Sequence, residues 1–413
     1  MEEETDYMSS VNSETATYTS NKFTVSQRLT IFGFFLAVFI VGLDSFIISP
    51  LLPLIASSLS SNVANVGLGI TLYAVFYAVG APLIAPFSEN IPRKAMILAG
   101  LILFTIATFL CGTTTSLFYF YVFRSLAGLG AAMFTPNVYA YIGGNFTKEK
   151  IGKVMGIVMA ALSLSIAVGV PTGSFIATLL DWHWTFFCSS LFALLSLIII
   201  IFFVKKDNVI DIKKRMKPWG HYKNILIAPR ALSGLFVVLF WMYAFYAIYT
   251  YLGSYIVKTF NLSIGLTGLV FVAYGLSNFV SSFSGGWIGN AWGMRKTILV
   301  AGIVSCVAFF LLGVNGIGLF PFIILLAILA FAQGIGVPQL ATFNATVLPE
   351  SRATMTSLNS SFLYLGLTLG SWIGGILFER YSFTILGTSA VLSTIVAIVI
   401  SQIVISKKNK KDK

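Results

Sequence analysis

Twelve apolar stretches, each near the roughly 20 residues that cross a bilayer as a helix, take up most of the chain. They run near 29–56, 66–88, 94–113, 116–141, 152–180, 183–204, 231–257, 265–289, 296–315, 318–346, 353–378 and 382–405. The loops between them are short, apart from a longer one, 205–230, in the middle. The expected fold is an all-α integral membrane protein with twelve transmembrane helices in two six-helix, pseudo-symmetric bundles.

Composition agrees. A chain of 413 residues with 57% hydrophobic and 10% charged residues and a mean hydropathy of +0.90 lies outside the soluble range. The net charge of +12 sits in short clusters between apolar runs rather than on a domain, which argues against a nucleic-acid partner. Those clusters read as topology signals, because Lys and Arg collect in cytoplasmic loops. One alternating set of connections holds Lys22 and Arg28; Arg93 and Lys94; Lys148, Lys150 and Lys153; the 205–230 cluster; Arg295 and Lys296; Arg352; and the tail from Lys407 to Lys413. The opposite set holds Lys258 and Arg380. Both termini and the central loop are therefore expected in the cytoplasm, with the protein in the cell membrane. The expected order is a disordered N-terminal tail (1–28), a first bundle (29–204), a linker (205–230), a second bundle (231–405) and a basic tail (406–413). A monomer in the lipid bilayer is the expected functional unit. The acidic start, Glu2 to Glu4, does not resemble a cleaved signal peptide. Cys111, Cys188 and Cys306 lie in or beside apolar runs without metal or redox spacing and read as small buried hydrophobes.

Inside the apolar runs, Asp44 is the one carboxylate. A charge at that depth costs on the order of 3 kcal/mol, so it should face protein or a wet cleft. Its helical neighbours Ile40, Val41, Ile47 and Ile48 offer no polar partner, so the partner must come from another span. Arg124 is the one basic residue left inside a span. It lies about 13 Å from the outer end of its span and Asp44 about 18 Å from that of its own, at 1.5 Å per residue, so the two are near one depth. Arg124 shares a face with Ala127, Gly128 and Ala131, small residues that let membrane helices approach. Two readings stay open: a permanent ion pair that holds helices together, and a proton-coupling pair. The second is favoured, since desolvation favours the neutral form of a carboxyl and a nearby guanidinium the charged form.

The halves also repeat each other. Arg93-Lys94 recurs as Arg295-Lys296, Gly128-Leu129-Gly130 as Gly334-Ile335-Gly336, and Gly169 and Gly173 as Gly370 and Gly374, all at offsets of roughly 200 residues. Internal repeats of this kind build many secondary transporters. Pro171 lacks an N–H and predicts a bend in the fifth span, with Gly169 and Gly173 allowing close packing there. Glu89 with Arg93 and Lys94 reads either as a latch or as a solvated pair. The seventh span is aromatic at mid-depth, including Trp241, Phe245 and Tyr246, which suits flat or cationic apolar solutes as well as ordinary packing. Polar groups at matching depth, Tyr73, Asn137, Tyr274, Asn278, Gln339 and Asn359, are candidates for a cleft lining or for helix-to-helix hydrogen bonds.

These motifs resemble the major facilitator superfamily. Ala85 to Lys94 is similar to its loop signature, with Ala85 for Gly, Glu89 for Asp, Asn90 for a base and Pro92 for Gly; Gly285 to Lys296 repeats the signature with Asn290 at the acidic position. Phe123 to Ala132 resembles its fourth-span signature, in which the Arg is thought to assist proton transfer, so the resemblance gives Arg124 that part. Ala167 to Gly173 and Leu358 to Gly375 are similar to the fifth and eleventh spans of its twelve-span drug/proton antiporter branch, as is Trp182-His183-Trp184-Thr185-Phe186, with His183 for Arg. The resemblance implies conformational parts for Glu89, Arg93, Lys94, Gly169, Pro171, Gly173, Arg295 and Lys296.

No GxxxxGK, no metal-spaced His/Cys set and no Ser/His/Asp arrangement is visible, so an ATP-driven pump, a metal site, a cofactor and catalysis are not expected; the energy source would be a proton gradient. No filter-like segment points to a channel. The expected function is proton-coupled export of small hydrophobic or cationic compounds by alternating access. The alternatives are an exporter of a polar metabolite such as a sugar, nucleobase or amino acid, and a non-transporting receptor or scaffold.

Overall fold

The computed structural model describes residues 23–88, 91–206, 223–225, 227–348 and 351–406. Among these, twelve helices are long and apolar enough to cross a membrane: Val25–Phe46, Val63–Ala85, Arg93–Cys111, Leu117–Asn145, Glu149–Leu179, Trp182–Phe203, Pro229–Phe260, Ile264–Ser282, Met294–Leu312, Leu319–Val347, Thr354–Arg380 and Phe383–Ile405. They are named here the first to twelfth spans. No strand occurs among the described residues.

Helix ends follow local chemistry. Thr24 opens the first span as a capping box, its hydroxyl accepting from Gln27 N while the Gln27 side chain accepts from Thr24 N, which satisfies two of the N–H groups a helix start leaves free. Gly293 separates the eighth and ninth helices at φ +77°, a backbone region that favours glycine. Two spans are broken. The first pauses at Ile47 and continues as Ile48–Ser58, which carries Pro50 and Pro53. The fifth runs as a helix over Lys148–Leu164, widens into one π-turn at Ser165–Gly169, and resumes over Val170–Leu179. Pro171, which cannot donate a backbone hydrogen bond, stands two residues after that turn, and the added residue absorbs the misfit.

The first six and last six spans meet through four pairs, second with eleventh, fifth with eighth, and Ile48–Ser58 with the seventh and the eighth, and one apolar core runs through both halves at this join. Gly275 of the eighth lets its backbone lie on Ala167 in the π-turn, where an added Cβ would come within 2.3 Å of the Ala167 nitrogen. Hydroxyls fasten these contacts. Ser49 donates to the Tyr249 carbonyl at 2.6 Å and accepts from Gly253 N at 3.2 Å; Thr71 and Ser371 hydroxyls are 2.8 Å apart; Ser163 donates to Asn278 Oδ1 at 2.9 Å. These ties lie between mid-depth and the face away from the termini. Toward the terminal face, Gly152 and Gly156 of the fifth span and Gly286 of the eighth have open space around their Cα atoms. The halves are thus described in contact on the face away from the termini.

Candidate functional site

Asp44 stands two residues before the end of the first helical segment, three before the pause at Ile47. Arg124 projects from the fourth span, and its Nη1 donates to Asp44 Oδ2 at 2.5 Å. Both side chains have no exposed surface, so in this conformation the pair is closed off from both faces. The fit depends on close helix approach. At Gly128, one turn beyond Arg124, an added Cβ would stand 2.2 Å from the Tyr73 carbonyl oxygen, so the second and fourth spans touch backbone to backbone there. That contact sets the Tyr73 ring 4.5 Å from the Arg124 guanidinium carbon, in the range of a cation–π interaction.

The pair is one-sided. Asp44 Oδ1 and Arg124 Nε and Nη2 are buried with no hydrogen-bond partner, and the buried hydroxyls of Ser45 and Tyr73 have none beyond one another. On its other side, the first span leans on the π-turn of the fifth: Cβ atoms at Gly42 and Gly169 would meet Ser165 Oγ at 2.3 Å and Leu43 Cδ1 at 3.0 Å. The bend at Pro171 is thereby in contact with the residues just before Asp44.

Beside the pair, Phe46 stacks on Tyr246 at 6.4 Å and meets Tyr249 edge-on at 5.2 Å. Phe245 and Tyr274, 5.8 Å apart, complete a buried aromatic group across the join of the halves. A second aromatic contact bridges the halves where Tyr77 stacks on Tyr364 at 3.6 Å, with Tyr73 6.4 Å from the same ring.

The sequence candidates divide accordingly. Phe245, Tyr246 and Tyr274 gather next to Asp44, and Tyr73 lies against Arg124. Trp241 faces the opposite way, its indole N–H donating to Gln333 Oε1 at 2.6 Å, and Gln333 in turn to Ser305 at 3.3 Å. Asn137 donates to Met133 O of its own helix at 2.7 Å, Gln339 to Gly285 O at 2.9 Å, and Asn359 accepts from Asn344 at 2.8 Å. Asn278 accepts from Ser163 across the halves and donates to Ala330 O at 3.3 Å. Among the loop residues, Arg93 donates to Ala140 O, Lys94 to Ile201 O at 2.8 Å, and Arg295 to Gln402 Oε1 at 3.0 Å, each within its own half. Lys296 is exposed, and Glu89 lies outside the described residues. Ser45, Ser49, Tyr77, Tyr364 and Gln333 were not singled out from the sequence. The four-residue spacing of Tyr73 and Tyr77, which puts both on one helix face, is the one signal that pointed to any of them.

A buried charged pair inside the first of two repeated six-helix halves is accompanied by a match to the family model of the Major Facilitator Superfamily over residues 34–267 and 254–413. The chain belongs to the major facilitator superfamily. Its superfamily relatives include the MFS-type transporter YwfA of Bacillus subtilis (strain 168), 30% identical over 91% of this chain and 92% of that protein. Multidrug resistance protein 2 of the same organism is 24% identical over 89% of this chain and 94% of that protein. The fold matches the human organic anion transporter MFSD10 (TETRAN) with a TM-score of 0.71 over 92% of this chain and 100% of that one, at 16% identity. As a superfamily member the chain is a multi-pass membrane transporter of small molecules, not an enzyme, and its transport needs no cofactor.

Proposed function

We propose that this transporter is a proton-coupled antiporter that exports small hydrophobic or cationic compounds from the cytoplasm by alternating access, as a monomer with both termini cytoplasmic. The observation that carries the proposal is the fully buried contact between Asp44 and Arg124, in the first half beside the aromatic rings that bridge to the second. Leaving either charge there unpaired is strongly unfavourable, so exchange of a proton at Asp44 is tied to rearrangement of the helices around it. With the termini cytoplasmic, the described conformation is joined on the outer face. When the halves part there, Asp44 takes a proton, with Arg124 setting its affinity; on the return it releases the proton as cargo enters.

The aromatic group of Phe46, Phe245, Tyr246, Tyr249 and Tyr274 supplies stacking surface for a flat or cationic cargo, and a multidrug resistance protein stands among the relatives. The π-turn before Pro171 flexes between Asp44 and the eighth span. In the opposite conformation Arg93, Lys94 and Arg295 exchange their ties within each half for contacts across the terminal face, joined there by the exposed Lys296. One pH unit contributes about 1.4 kcal/mol per proton and 100 mV about 2.3 kcal/mol per charge, together roughly a few hundredfold concentration ratio for a neutral cargo. The test is proton release and uptake by purified protein on adding lipophilic cations: the native chain responds and Asp44→Asn does not.

A further inference from the structure

Around the Asp44–Arg124 contact the hydrogen-bond inventory is unbalanced. One guanidinium nitrogen, Nη1, and one carboxylate oxygen, Oδ2, satisfy each other. Left over, buried and without partners, are Arg124 Nε and Nη2 on the donor side, against Asp44 Oδ1 as an acceptor alone. The Ser45 and Tyr73 hydroxyls have no partner beyond one another, and Tyr73 lies against Arg124, so these groups belong to one cluster. Guanidinium carries five N–H donors and accepts nothing. Among the described residues of this cluster, Asp44 is the acid that can compensate its charge: the nearby Cys111 is a buried free thiol, and Tyr73 and Ser45 carry neutral hydroxyls.

While Asp44 is ionised the cluster is neutral overall. Once its carboxyl is neutral, a full positive charge remains at a site with no exposed surface, surrounded by several N–H and O–H donors. Such a charge is tolerated when a counter-ion or hydrogen-bond acceptors join it. We propose that Arg124, with the Tyr73 and Ser45 hydroxyls, forms a site for a small inorganic anion of the halide type, filled when Asp44 is neutral and emptied when it is ionised. A halide fits the chemistry because it accepts hydrogen bonds from several directions and brings no donor of its own. This inference rests on the reading that Asp44 takes up a proton during transport.

The test is the thermal unfolding midpoint of the purified full-length protein, titrated with sodium chloride against sodium gluconate at equal ionic strength. Asn at position 44 stands for the neutral acid. At ten times its half-saturating concentration an anion bound to the folded chain shifts the unfolding equilibrium about elevenfold, which for a chain of this size is a rise of about 2 °C. The expected result is a chloride-specific rise of that size in Asp44→Asn, none in the native chain at pH 8, and none in the double variant Asp44→Asn/Arg124→Gln. If Asp44→Asn is too unstable to purify, the native chain at pH 5 against pH 8 makes the same comparison. An equal response of Asp44→Asn to both salts, or an equal chloride response with Arg124 removed, overturns the anion site. Chloride dependence in an Asp44→Asn protein that still exports against a pH gradient keeps the anion site and removes the coupling role. Loss of pH-driven export without chloride dependence does the reverse.

Discussion

Ser49 of the first span lays its hydroxyl across a rung of the seventh, accepting from the Gly253 N–H at 3.2 Å and donating to the Tyr249 carbonyl at 2.6 Å. Tyr249 and Gly253 are the two ends of an i to i+4 step, so a side chain from one half engages the helical backbone of the other. Close approach is possible because residue 253 has no side chain: a Cβ there would lie 2.4 Å from Pro50 Cα.

Ser49→Ala should weaken closure of the face away from the termini by about 1 kcal/mol, the usual net value of a hydrogen bond, or about fivefold in the closing equilibrium. Labelling of a cysteine placed at the contact of the first and seventh spans, by a thiol reagent supplied from that face, measures the change. Gly253→Ala should raise labelling further, because the clash is with backbone and no rotamer relieves it. Unchanged labelling in both variants would show that this contact does not hold the face shut.

Removing one member of the buried pair should cost more than removing both. Arg124→Gln leaves a carboxylate alone in the interior and is expected to destabilise by about 3–5 kcal/mol. Asp44→Asn combined with Arg124→Gln should recover part of that loss. The coupling is read from a double-mutant cycle on unfolding midpoints in detergent, and strictly additive losses would contradict the geometry.

Gly128→Ala should disturb the pair from outside it. The added methyl would stand 2.2 Å from the Tyr73 carbonyl oxygen, forcing the second and fourth spans apart at a cost of about 1–3 kcal/mol. A lower melting temperature and weaker pH dependence of transport are expected together.

The two sides of the aromatic seventh span should separate in their effects. Tyr246→Ala removes a ring stacked on Phe46 next to Asp44 and should alter the KM for flat cationic cargo severalfold. Trp241→Phe breaks the 2.6 Å hydrogen bond to Gln333 and should lower stability by about 1 kcal/mol with KM preserved. Dye-efflux kinetics alongside thermal melts distinguish them.

This division marks how far the sequence could be read. Asp44 and Arg124 were legible as partners because a charge in oil must be compensated and these two share a depth. The bend at Pro171 was legible because the missing N–H is a property of the residue, whereas its resolution into a π-turn pressed on Gly42 and Leu43 depends on neighbours the chain order does not reveal. Trp241 and Tyr246 could not be told apart: a span that is apolar all round carries no periodicity to say which face meets the cleft. Asn137 bonds to its own helix, and Gln339 and Asn359 are tied to a neighbouring one, as amides in a bundle commonly are. Ser49 gave no signal at all, since a serine in an apolar helix ordinarily bonds back to its own turn.

The most direct measurement is export of a lipophilic cation from proteoliposomes, driven by an imposed pH gradient, in the native chain and in Asp44→Asn. The native chain should concentrate the cation against its gradient and alkalinise or acidify the two compartments in step with it. Asp44→Asn should retain downhill exchange of the cation while losing all response to the pH gradient. Full pH-driven accumulation by Asp44→Asn would contradict the assignment of proton coupling to the buried pair.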